Sequence, residues 1–148
     1  MAHFYIEWKV KIKKMTNLEI VKTRLYEKNA SLVVLFENGE VEEYYNKRVK
    51  DIVSILKENK DALKGAIIAD KVIGKTAASL LTVAGVKEIY ANTISDIAIP
   101  VLEKNNIKYH YKNKVEYIIN NEGTGMCPME NKFKDEKELR NIYNYFMN

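Results

Sequence analysis

Two short runs, residues 31–36 (SLVVLF) and 65–70 (GAIIAD), are apolar almost without a break. Runs of this length suit strands better than helices, and a strand apolar on both sides must be covered on both faces. The chain therefore has to supply helices for two sides of a sheet, and its remaining apolar pattern does so. Thr16 and Glu19 have the spacing of a capping box for a helix over about 17–28, with Leu18, Val21 and Leu25 on its apolar face. Asn38-Gly39 is a hairpin signal that returns the chain as a second strand over 40–45. Val49, Ile52, Val53 and Leu56 recur at helical spacing, and Ile73, Ala77, Leu80, Leu81 and Ala84 stripe a further helix ended by Gly85. A strand is expected over 86–91. Ser95 or Asp96 should cap a helix to about 105, with Pro100 close to its first turn. Ile107, Tyr109 and Tyr111 alternate as a last strand, Val115, Ile118 and Ile119 suggest a short helix, and Leu139, Ile142, Tyr143 and Phe146 a closing one. A hairpin followed by alternating helices and strands predicts one mixed sheet whose later strands are parallel, with helices on both faces.

The 148 residues suffice for one domain with a real core. Residues 16–148 carry that pattern. Residues 1–15 form an extension in which Phe4, Ile6, Trp8, Val10 and Ile12 alternate with charged residues, as in a strand with one buried face. Such a strand could pair across a dimer, so a homo-oligomer is among the expected partners. The alternation leaves no continuous apolar core for a signal peptide, and no run approaches a membrane span. The single cysteine excludes an internal disulfide. These features point to the cytoplasm. The net charge of +4 is modest and spread out, so nucleic acid is not expected as a partner.

Ligands of open α/β sheets bind beyond the carboxyl ends of strands, near helix starts. Three segments fall there. In the first, a strand runs into a helix through Asp70, Lys71, Gly74 and Lys75, where free N–H groups and two cations would favour an anion. It is no Walker loop, because the first glycine of that motif would fall at Ile68. Equally, Asp70 could cap the helix and the lysines could be solvated. The second segment is Gly123, Thr124, Gly125, Cys127 and Glu130, with Pro128 suited to a first helical position. Cys127 would sit at the cap, where a thiol can be activated, or serve as a small buried hydrophobe. The third holds Thr93 and Ser95, which could bond a ligand or simply cap.

Zinc-dependent deamination needs a His/Cys/Cys or Cys₃ set with a glutamate, and one cysteine cannot satisfy it. Only His3 and His110 are available, and no serine hydrolase or HExxH pattern is present. No metal site and no cofactor is expected.

The blocks ADKVIGKTAASLL (69–81), AGVKEIYANTIS (84–95) and GTGMCPME (123–130) closely resemble the family called domain of unknown function 1893, over about residues 17–147. The resemblance implies a three-layer α/β/α cytidine-deaminase-like fold without the zinc motif. It would place the two metal-binding segments of a deaminase at 46–51 and 70–75, here basic and polar. A relict pocket for a nucleotide or other phosphorylated small molecule is then the expected function. Arg48, Lys71 and Lys75 would meet phosphate, with Asp70 and Glu130 available for sugar or base. The alternatives are a metal-independent enzyme using Cys127 or the Asp70/Lys71 pair, and a structural oligomerisation module.

Overall fold

The computed structural model describes residues 15–148; the strand expected over 4–12 lies outside them. Helix α1 (Asn17–Glu27) opens with the expected capping box: the Glu19 N–H donates to Thr16 Oγ1 at 3.1 Å and the Thr16 N–H to Glu19 Oε2 at 3.4 Å. Strands β1 (Leu32–Leu35) and β2 (Val41–Tyr44) follow as a hairpin. Its turn uses the left-handed conformation at Gly39 alone, with φ +94°, while Asn38 Oδ1 accepts from the Glu40 N–H. Then come α2 (Lys50–Glu58), β3 (Ile67–Ile73), α3 (Lys75–Ala84), β4 (Glu88–Ser95), α4 (Ile99–Lys104), β5 (Lys108–Val115), α5 (Pro128–Phe133) and α6 (Leu139–Met147).

The five strands form one mixed sheet in the order β2-β1-β3-β4-β5. β1 is antiparallel to both β2 and β3, and β3, β4 and β5 are parallel. Val21 and Leu25 of α1 pack against Val33, Ala69 and Tyr90 on one face. On the other, Ile52 and Leu56 of α2, Leu80 and Leu81 of α3 and Leu102 of α4 build the larger core. Leu80 and Leu81 are fully buried, and each contributes about 2 kcal/mol by leaving water. Helix α3 lies centrally on that face, touching α2, α4, α5 and α6. Among the described residues no helix is long and apolar enough to cross a membrane.

Three boundaries differ from the sequence-based expectation. β3 runs on to Ile73 because Val72 and Ile73 still pair with Thr93 and Ile94, so α3 starts at Lys75 with Gly74 as its cap. β4 likewise continues to Ser95, and α4 starts only at Ile99. Val115, Ile118 and Ile119 form no helix. Val115 ends β5 against Ser95, and Ile119 bridges Met126 antiparallel across a tight loop.

Antiparallel β1 brings the end of β2 and the end of β3 to the same edge of the sheet, since Leu32 pairs with both Tyr44 and Asp70. Helices α2 and α3 therefore start side by side. α3 ends at Gly85 with φ +85°, in the left-handed region open to glycine at little cost. Gly85→Ala is expected to lower the unfolding free energy by about 1 kcal/mol in urea titration, although the added methyl meets no close contact.

Candidate functional site

A cleft of about 370 Å³ opens where these two helix starts converge. Arg48 and Val49, just before α2, form one wall. Val72, Gly74, Thr76 and Ala77 supply the second, and Ile118, Cys127, Met129 and Glu130 the third. Sequence reasoning missed Val49, Val72, Ala77 and Ile118 as lining residues, because apolar positions flanking an element read as ordinary core.

Glu130 ties the third wall to the second. Its side chain is buried; Oε1 accepts from the Lys75 N–H at 2.6 Å and Oε2 from the Ile118 N–H at 2.8 Å. Gly74 makes room for this. A Cβ there would stand 2.8 Å from Glu130 Oε1 and 2.9 Å from Ile118 Cγ1. Cys127 caps α5 and is almost buried in the wall, its N–H donating to the Ile118 carbonyl at 2.7 Å.

Arg48 adopts φ +64°, a left-handed conformation that costs a non-glycine residue roughly 1–2 kcal/mol. Its guanidinium donates to the Ile119 carbonyl at 3.3 Å and to Asn121 Oδ1 at 2.7 Å. Both partners are neutral, and Arg48 makes no ion pair among the described residues. Among the described residues no carboxylate therefore stands within ion-pair distance of this guanidinium at the rim of the cleft, whose lining also includes Glu122.

The two lysines expected to meet phosphate lie elsewhere. Lys71, within β3, points to the α1 side, where its ammonium donates to Asn29 Oδ1 at 3.0 Å. Lys75 is buried rather than solvated, and its ammonium donates to the carbonyls of Lys134 and Glu136 in the link between α5 and α6. Desolvation lowers the Lys75 pKa, against the pull of Asp135, Glu136 and Glu130. Strand alternation likewise separates Asp70 from Lys71, so the two cannot act as an acid–base pair on one ligand. Asp70 is not a helix cap either: it lies in β3, where its Oδ1 accepts from the Val72 N–H at 3.2 Å. Thr93 and Ser95 belong to β4, and Ser95 Oγ accepts from the Ala98 N–H. Gly123, Thr124 and Gly125 form the tip of the loop, where Asn120 Oδ1 accepts from the Thr124 N–H, and they do not line the cleft. Among the described residues no group of three or more His, Cys, Asp or Glu side chains is placed to hold a metal ion.

The sequence pattern described as TM1506, domain of unknown function DUF1893, matches residues 20–148. The chain belongs to the DUF1893 family. The crystal structure of the DUF1893 family protein TM1506 from Thermotoga maritima superposes with a TM-score of 0.78 at 26% identity, covering 88% of each chain. Among curated proteins none matches. The overall fold is thus shared with a solved relative.

Lys71 and Lys75 should separate in their effects on stability. Lys75→Ala leaves two carbonyls without their ammonium and is expected to cost about 1–3 kcal/mol, whereas exposed Lys71→Ala should change stability by under about 0.5 kcal/mol. Equal losses in urea unfolding would contradict the assignment.

Burial pushes the Asp70 carboxyl up to about 7, helped by the Asp51 carboxylate and opposed by the N–H groups of Val72 and Lys71. An acid held above its unfolded pKa of about 3.9 binds its proton more tightly when folded. That stabilisation is complete below about pH 4 and is lost as the pH rises through about 7. Asp70→Asn should therefore stabilise the protein by about 1–3 kcal/mol at pH 8, with the gain shrinking towards pH 5. A gain independent of pH would show that Asp70 ionises normally in the fold.

Proposed function

We propose that this DUF1893 protein binds a small nucleotide-like molecule in the cleft between the starts of α2 and α3. The carrying observation is the cleft itself: an open, largely apolar cavity with one guanidinium at its rim that makes no ion pair among the described residues. Such a cavity suits a flat ring, held between Val49, Val72 and Met129, with a polar or anionic substituent reaching Arg48. Lys71 and Lys75 do not reach the cleft, so contact with any phosphate falls to Arg48.

We propose with it that the fold is cytidine-deaminase-like in ancestry. The two segments that would carry metal ligands in a deaminase, 46–51 and 70–75, contribute Arg48, Val49, Val72 and Gly74 to the cleft walls. In this reading the pocket persists as a shape while its chemistry has changed. Cys127 serves as a wall residue, and Cys127→Ala should bind almost as well.

Native mass spectrometry of the purified protein tests the proposal. A small molecule is expected to travel with the wild type and to be lost from Arg48→Gly. That substitution also relieves the left-handed strain, so stability should stay within about 1 kcal/mol of the wild type. A bound molecule retained in full by Arg48→Gly would place the ligand elsewhere.

A further inference from the structure

The start of an α-helix offers partial positive charge and free N–H groups, and in many α/β proteins a phosphate takes that position. Helix α3 spans ten residues and opens onto the cleft, but its first N–H already bonds Glu130 Oε1. The other carboxylate oxygen is held by the Ile118 N–H, and the side chain is only 2% exposed. Gly74 leaves no spare volume there, since even a methyl would collide with the carboxylate. A negative group belonging to the protein thus stands where a ligand's phosphate would otherwise go. The one cationic side chain lining the cleft among the described residues, Arg48, lies at the rim.

We propose that Glu130 is a built-in anion that sets the ligand specificity of the cleft: the floor takes an uncharged ring and turns phosphate away. The inference rests on the reading of the cleft as a ligand site and adds the chemistry of what it accepts. Like charges brought together in a partly desolvated cleft repel far more strongly than in water. A ligand's phosphate must therefore point outward to Arg48, while the part that meets Gly74, Val72 and Ala77 is neutral and flat.

Inorganic phosphate is the probe for the floor. Isothermal titration in an Arg48→Gly background, which removes the rim guanidinium, should show it binding about tenfold more tightly once Glu130→Gln is added, because the amide keeps the volume and removes the charge. Glu130→Ala vacates the position, and its melting temperature should fall. Formate, a carboxylate small enough to refill the gap, should then raise that melting temperature beyond the effect of chloride at equal ionic strength, and should leave the wild type unchanged. Phosphate affinity in the Arg48→Gly background that is identical with and without Glu130→Gln would overturn the inference, even if Glu130→Ala does not fold. So would a Glu130→Ala protein that folds and ignores formate. Failure of the ligand reading looks different: no molecule travels with the wild type, while the phosphate and formate results hold and still support the assignment of Glu130.

Discussion

The carboxylate of Glu130 holds two separate stretches of backbone at once, the start of α3 and the strand-like segment at Ile118. Neither stretch has a local partner for these N–H groups, and a buried N–H left unpaired costs about 1–3 kcal/mol. One side chain meets both needs, and it can reach them only because residue 74 is glycine. The contact also fixes the third wall of the cleft against the second. Without it the segment from 118 to 130 would keep its own turn, through the Asn120 N–H to the Gly125 carbonyl and the Ile119–Met126 bridge, and the bonds from the Arg48 guanidinium to the Ile119 carbonyl and Asn121.

The sheet topology explains why the cleft forms at this edge. A hairpin placed antiparallel to β3 delivers α2 to the edge where α3 begins, and the parallel strands β4 and β5 send the chain back to cover it. Lys75 completes the cover from the other side. Its ammonium reaches past α3 to two carbonyls of the α5–α6 link, so the cation stabilises the frame rather than a ligand. Arg48 contrasts with it: exposed, strained in backbone and without an ionic partner among the described residues.

Much of the fold was legible because its signals are local. The capping box of Thr16 and Glu19, the turn at Gly39 and the helix stop at Gly85 each depend on residues within one turn of one another. The 123–130 segment was legible as a concentration of unusual residues expected to lie against the 70–75 helix start, as it does, but the pairing of Glu130 with the Lys75 N–H was not, because no local rule links positions so far apart. The errors have the same origin. Asp70 reads as a possible helix cap and Lys71 and Lys75 as two cations at one helix start, until pairing with β4 extends the strand and sends the two lysines to different places. Val115, Ile118 and Ile119 match a helical period by spacing alone, yet one ends a strand and another bridges a loop.

The most direct measurement is crystallographic soaking of the wild-type protein with a set of small, uncharged heterocycles. Ring density between Val49, Val72 and Met129, with the Glu130 carboxylate unmoved between Lys75 and Ile118, is the expected result. Rings collecting instead in the groove of Tyr26, Tyr90 and Lys112 beside α1, with the cleft empty throughout, would contradict the placement of the site.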